Sequence, residues 1–317
     1  MNGVSIKYFV ITIVSIFLAL GIGIFIGFMT NGEKLLQKQF SQQIQVIDRN
    51  IALLRNENEK LLKDLNQAKD DLSQKEKLNQ MLVNSYINNG NNLSNIALLV
   101  TSNDYSYNET IDFLRKNKIN LIKTIKIKQS FLNNYNNLVN YIQNSDITVE
   151  NKEEYIFTSI TNYLLFSINN DVIKYLKDNK MIEENNYAKG IADCVLIGGG
   201  NSKGNNNFDK IDFKIIKILN KLPKLSLIGV QHSYSEENYC EKYKNNGLDT
   251  VDNIDELTGL VSMIELIRGN SGNYGVKKEA TAILPGNFLN YKDSEKIIIT
   301  RKQNMLSYYN QIVSSQQ

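Results

Sequence analysis

The chain has 317 residues, of which 42% are hydrophobic and 22% are charged, so it can bury a sizeable core and is not globally disordered. Its formal net charge of +3 is small for this length and does not provide the concentrated basic surface of a nucleic-acid-binding protein. Two cysteines, Cys194 and Cys240, are too few for a disulfide framework. One disulfide between them is possible, but we expect two reduced and mostly buried thiols.

An uncharged apolar segment over residues 8–29 is the first feature in chain order. As a helix, its roughly 22 residues span about 33 Å, enough to cross the hydrocarbon core of a bilayer. The segment is longer than the apolar region of a secretory signal, so we predict an uncleaved transmembrane anchor over residues 1–32. Ala19, Gly23 and Gly27 lie on one face of that helix and favour close packing of two helices in the bilayer. Similar numbers of positive charges flank the two ends, which leaves the orientation undecided.

A heptad pattern follows over residues 33–87. Its a and d positions form a seam, which consists of Ile44, Ile47, Ile51, Leu54, Asn58, Leu61, Leu65, Ala68 and Leu72. Spacings of three and four residues sustained over this length predict a left-handed coiled-coil stalk. Isoleucine at a, leucine at d and one asparagine at an a position favour a parallel homodimer. An amphipathic helix packed on its own domain is the alternative.

Residues 95–285 alternate between strand-like and helix-like patterns, after a polar break over residues 88–94 that predicts a domain boundary. Strands are predicted at residues 96–101, 119–127, 192–197, 225–230 and 248–251. Helices are predicted at residues 110–118, 208–222 and 236–244, and residues 130–181 are predicted to be largely helical. A further helix is predicted to begin with Asn253 as its N-cap and to end at Arg268 and Gly269. Apolar strands separated by helices favour a Rossmann-like or flavodoxin-like α/β domain with a mostly parallel sheet. Residues 286–317 form a C-terminal tail without a predicted structure.

A glycine triplet, Gly198, Gly199 and Gly200, follows the predicted strand at 192–197. Doubly wound folds often bind phosphate groups at such a position. However, residues 201–205 match neither the dinucleotide fingerprint nor a P-loop. We therefore favour a flexible turn over a nucleotide site, and no cofactor is evident from these residues.

His232 is the only histidine and follows the predicted strand at 225–230, with Cys240 on the next predicted helix. The pair has no recognised metal spacing, so both residues are weak metal candidates. A Cu(I) site would need several sulfur ligands together, whereas the six methionines are scattered along the chain. A single histidine without a nucleophile-elbow motif also argues against hydrolase chemistry. We predict a protein without enzymatic activity and assign no catalytic residues.

Four stretches of the chain carry a family resemblance. They are Ser5-Ile6-Lys7-Tyr8 before the apolar anchor, Ile191-Ala192-Asp193 before the glycine triplet, residues 249–253 with Thr258-Gly259, and residues 272–275 with residues 280–285. Their order and spacing resemble those of the MctB-type copper transporter family, which includes SteB-like proteins. The resemblance implies membrane residence and a part in copper homeostasis or efflux. It also implies an association with SteA-type partners in cell separation, and it supplies no catalytic residues.

A literal channel does not fit this residue pattern. One transmembrane helix cannot enclose a pore, and the predicted strands are fewer than the roughly eight alternating strands of the smallest transmembrane barrels. Two functions therefore stay open, a contribution to copper homeostasis from a membrane-anchored protein and a non-enzymatic dimeric envelope scaffold that docks a cell-division partner. The mismatch between residues 201–205 and the dinucleotide-binding fingerprint disfavours a third function, that of a nucleotide sensor.

Overall fold

The computed structural model describes residues 6–88, 94–144, 149–202 and 207–315. The chain forms two compact units, residues 1–76 and residues 77–317. The polar break expected at residues 88–94 lies mostly outside the described residues.

The first unit consists of most of helix α1, which extends over Ile6–Asn88. Of the described residues, α1 is the one helix long and apolar enough to cross a membrane by length and composition. The hydroxyl groups of Thr12 and Ser15 donate hydrogen bonds to the carbonyls of Tyr8 and Ile11, both at 2.8 Å. These polar side chains are therefore satisfied by their own helix, as an apolar solvent requires.

The heptad seam lies on the exposed surface of α1 in the single chain. The large apolar side chains of the seam are between 43% and 65% exposed, and they are Ile44, Ile47, Ile51, Leu54, Leu61, Leu65 and Leu72. The helix itself is as predicted, whereas the coiled coil and the parallel homodimer stay predictions.

The second unit contains a sheet of seven strands. They are β1 (Ile96–Val100), β2 (Leu121–Ile127), β3 (Ile182–Asn186), β4 (Cys194–Gly198), β5 (Ser226–Val230), β6 (Asp249–Val251) and β7 (Asn273–Tyr274). Their order is β3-β2-β1-β4-β5-β6-β7, and only the β2–β3 pair is antiparallel. This confirms the predicted α/β class with its mostly parallel sheet. The sequence patterns missed the two edge strands, because β3 is polar and β7 is only two residues long.

Helices cover both faces of the sheet. They are α2 (Asn108–Lys116), α3 (Gln129–Asn133), α4 (Tyr135–Gln143), α5 (Lys152–Phe166), α6 (Asp171–Asp178), a π-helical turn (Phe208–Asp212), α7 (Phe213–Leu219), α8 (Tyr239–Asn245), α9 (Leu257–Arg268) and α10 (Tyr291–Ser315). Alternate residues of β1 enter different layers of the core. Ala97 and Leu99 pack in the layer that contains α3 to α8, while Ile96 and Leu98 pack in the layer that contains α2 and α9.

Asn253 does not cap α9, which corrects the sequence prediction. The helix begins at Leu257, and its N-cap residue Glu256 makes no side-chain capping bond. A turn closed by a hydrogen bond from the Glu256 amide to the Asn253 carbonyl (2.9 Å) places Asn253 one turn outside the helix. Its side chain instead donates to the Glu256 carboxylate (3.1 Å) and the Thr258 hydroxyl (2.9 Å). The predicted end is confirmed, since Gly269 follows Arg268 in the left-handed conformation.

Two segments outside the predicted domain pack on its core. In α10, the side chains of Ile298 and Met305 are fully buried. In the last turns of α1, Val83 and Ile87 are buried in the layer that contains α9. The second unit therefore extends beyond residues 95–285 at both ends.

Candidate functional site

A ligand site is expected at the carboxyl end of the sheet, between β1 and β4. The chain leaves the centre of the sheet in opposite directions from these two strands, which makes this a topological switch point. Open α/β sheets bind their ligands in the crevice outside such a point. The glycine triplet and His232 both lie at this end of the sheet.

Tyr107 occupies the crevice. Its side chain is 2% exposed, and its hydroxyl donates hydrogen bonds to the carbonyls of Gly199 (2.5 Å) and Val230 (3.0 Å). A Cβ atom added to Gly198 would lie 2.9 Å from Cζ of the Tyr107 ring, closer than packing allows. The glycine therefore makes room for an aromatic ring rather than for a phosphate group.

The other two glycines of the triplet are also packing positions. A Cβ atom at Gly199 would collide with the Tyr239 and Tyr243 rings, and one at Gly200 would collide with the Ser235 hydroxyl. Only Gly200 has the left-handed conformation, with φ of +88°. The triplet is thus a close-packed segment rather than the flexible turn expected from the sequence, and residues 203–206 of the expected loop lie outside the described residues.

Asp212 is the titratable group at the centre of this region. It is fully buried, and its Oδ1 atom accepts hydrogen bonds from the Thr101 hydroxyl (2.7 Å) and the Tyr243 hydroxyl (2.6 Å). Burial disfavours the charged form and raises the pKa of Asp212 to about 7, against the opposing effect of these two hydrogen bonds.

Several buried polar atoms at this end of the sheet have no hydrogen-bond partner in the described part of the chain. They are Nδ2 of Asn207, Oδ2 of Asp212, Nε2 of Gln231 and Nδ1 of His232. Buried polar groups are almost always hydrogen-bonded, so a small polar ligand or ordered water could bind at this end of the sheet through these atoms.

His232 lies in an aromatic cage. The ring is 3% exposed, stacks on Tyr234 at a centroid distance of 5.0 Å, and lies 4.9 Å from Tyr107. Its Nε2 atom is 2.9 Å from the Ser106 carbonyl, and Nδ1 is 3.8 Å from the Asp255 carboxylate. The contacts of His232 are therefore with tyrosine rings, a carbonyl and a carboxylate.

Both cysteines are free and buried, as predicted from the sequence. The Cys240 thiol lies 3.4 Å from the Val251 carbonyl, to which it donates a hydrogen bond. Burial raises the pKa of Cys194 to about 12 and raises the pKa of Cys240 well above its usual range. The thiolate is the form that binds soft metals, so both environments oppose metal binding.

The structure gives His232 and Cys240 separate sets of partners. Within the described ranges, no group of three or more His, Cys, Asp or Glu side chains is arranged to hold a metal ion. The pair is therefore at best an incomplete site.

Sequence reasoning missed the residues that fill the switch point. Tyr107, Tyr239 and Tyr243 come from three separate segments, and Asp212 joins them through the Tyr243 hydroxyl. The one sequence feature that pointed to them is the high tyrosine content of the chain, which has 17 tyrosines. Tyrosine needs a hydrogen-bond partner when buried, and the partners here are distant in sequence.

The comparison with known protein families decides the membership of this chain. Residues 4–285 match the model of MctB, described as a copper transport outer membrane protein. The chain belongs to the MctB family. Among curated proteins, no sequence matches it significantly. The MctB description and the long apolar helix together indicate a membrane-anchored protein related to copper transport.

Proposed function

We propose that this MctB-family chain contributes to copper homeostasis or efflux as a single-pass membrane protein anchored by residues 8–29, without itself forming the conduit. Its family membership supports the connection to copper. The side chains of β1, β4 and β5 are buried throughout these strands, as in a sheet covered by helices on both faces. A transmembrane barrel would instead alternate lipid-facing and lumen-facing residues.

Copper tolerance of cells tests this function. Removal of the chain is expected to lower the copper concentration that cells tolerate and to raise cell-associated copper, and the wild-type chain should restore both values. The His232→Gln and Cys240→Ser variants should restore them equally well, because the structure gives these side chains other partners. Unchanged tolerance and copper content after removal would contradict the proposal.

A second candidate is a non-enzymatic dimeric scaffold, and one specific observation favours it. The large apolar side chains of the heptad seam are exposed in the single chain. Burial of such a seam against a second copy would gain about 25 cal/mol for each square ångström removed from water. In this proposal the stalk holds two chains parallel, and the α/β domain docks a protein partner of the SteA type implied by the family resemblance.

Neighbouring leucines of α1 provide a matched test of the scaffold. Leu54 is a d position of the seam and is 58% exposed, while Leu53 lies outside the seam and is 61% exposed. The Leu54→Glu variant in detergent is expected to sediment as a monomer and to lose stalk-dependent capture of partner proteins from membranes. The Leu53→Glu variant should stay dimeric and retain that capture. A monomeric wild-type chain, or equal behaviour of the two variants, would refute the scaffold.

The same two variants separate the two functions. If Leu54→Glu abolishes dimerisation while copper tolerance persists, the copper function does not need the dimer. If Leu54→Glu abolishes dimerisation and also lowers copper tolerance, the two proposals describe one activity.

A further inference from the structure

A cavity of about 480 Å³ lies in the second unit, beside the β2–β3 edge of the sheet. Residues from β2, from the end of α5, from α6 and from the segment after β3 line it. Of its described lining residues, three are lysines and none is acidic. The lysines are Lys123, Lys177 and Lys189.

Lys123 is the buried cation of the cavity, with only 2% of the residue exposed. Its Nζ atom donates hydrogen bonds to the Tyr163 carbonyl (2.9 Å) and the Ser167 hydroxyl (2.8 Å), and it lies 3.7 Å from the centroid of the Tyr163 ring. No carboxylate of the described residues forms an ion pair with it. Burial of an ammonium is costly and lowers the pKa of Lys123 to about 8, although the nearby Glu184 carboxylate favours the charged form.

The end of helix α5 explains only part of this arrangement. The Tyr163 carbonyl belongs to the last turn of α5, where a cation interacts favourably with the helix dipole. That interaction accounts for one lysine, whereas two more reach the same cavity from α6 and from the segment after β3. Glu184 pairs with Lys177 at 2.8 Å. Three cations are therefore balanced by one carboxylate in direct contact.

The remaining polar lining residues are donors suited to an oxyanion. Ser167 is the C-cap residue of α5, in the left-handed conformation common at helix ends, and its hydroxyl faces the Lys123 ammonium. The side chains of Asn169 and Asn186 also line the cavity. Lysine ammonium and amide groups form strong hydrogen bonds with phosphate and carboxylate oxygens.

We propose that this cavity binds a small oxyanion, the phosphate or carboxylate group of a small molecule. Lys123 is the buried cation of the site, and Lys177 and Lys189 are the cations nearer to solvent. This site is independent of the proposed copper function and of the heptad seam.

Titration of the detergent-solubilised full chain with inorganic phosphate and with citrate tests the site, by calorimetry and by thermal unfolding. We expect saturable binding of at least one probe, with a higher Tm in its presence. The Lys189→Gln variant should weaken that binding about tenfold, because a charge-assisted hydrogen bond contributes about 1.5–3 kcal/mol. Lys189 is exposed, so this variant keeps the fold even if a Lys123→Met variant does not.

The Lys174→Gln variant is the matched control, since Lys174 is an exposed lysine of α6 outside the cavity lining. It should bind the probe as tightly as the wild type does. Absence of saturable binding by either probe would overturn the proposal. Equal affinity of the wild type and the Lys189→Gln variant would also overturn it, because binding would then be a general effect of surface charge.

Discussion

Asp212 is buried among tyrosines, and its titration couples folding to pH. Its pKa is about 7 in the folded chain, against 3.8 for an ordinary aspartate side chain, so the folded state holds more protons between these pH values. Stability therefore falls as pH rises through this window. An asparagine at this position has no proton to lose.

We predict that the free energy of unfolding of the Asp212→Asn variant, measured relative to wild type, increases by about 1–2 kcal/mol between pH 5 and pH 8. Urea unfolding at both pH values measures the difference. The Asp209→Asn variant is the control, because Asp209 is an exposed residue of the same π-helical turn. A pH-independent difference for Asp212→Asn would contradict the raised pKa.

Gly199 is at a position where a side chain has no space. We expect Gly199→Ala to lower the free energy of unfolding by about 1–3 kcal/mol, because its Cβ would collide with the rings of Tyr239 and Tyr243. Gly286→Ala serves as the comparison, since a Cβ atom there meets nothing within 4 Å. Equal stability of the two variants in denaturant would show that the tyrosines do not pack as described.

At the scale of elements, the last turns of α1 are held to α9 by a buried ionic cluster. The Tyr86 hydroxyl donates a hydrogen bond to the Glu265 carboxylate, and Glu265 lies 3.4 Å from Arg268. Arg268 also donates hydrogen bonds to the Ile87 carbonyl (3.3 Å) and the Tyr86 carbonyl (3.4 Å), which lack helical partners at the end of α1.

Removal of the arginine leaves a buried carboxylate without its cation. The Arg268→Met variant is expected to lose about 3–5 kcal/mol of unfolding free energy, measured in urea. The double variant Glu265→Gln, Arg268→Met should be more stable than Arg268→Met, because it removes the unpaired charge as well. The exposed Lys292→Met substitution should change stability by less than about 0.5 kcal/mol. A double variant less stable than Arg268→Met would contradict this account.

For the whole molecule, the structure places residues 77–88 with the α/β fold rather than with the stalk. We predict that a fragment of residues 77–317 unfolds cooperatively in urea. A fragment of residues 95–317 should unfold at lower urea concentration, since it lacks the buried side chains of Val83 and Ile87 and the Tyr86 contact with Glu265. Identical midpoints for the two fragments would show that α1 adds nothing to the domain.

Local periodicity determined the features that sequence reasoning predicted correctly. The long apolar helix and the short apolar strands can be read from short stretches of chain, because the side-chain pattern follows directly from helix or strand geometry. The coiled coil indicated by the 3.5-residue repeat stays a prediction. The strands β1, β2, β4, β5 and β6 and the end of α9 at Gly269 were predicted in this way.

Long-range packing decided the rest. The polar sequence of β3 becomes a strand only because β2 offers it an edge, and α10 becomes part of the core only because Ile298 and Met305 find buried positions. Asn253 lies outside α9 because a turn precedes the helix. The glycine triplet accommodates tyrosine rings that come from distant segments. Contacts between residues far apart in the chain leave no periodic signal in the sequence, so only the folded structure reveals them.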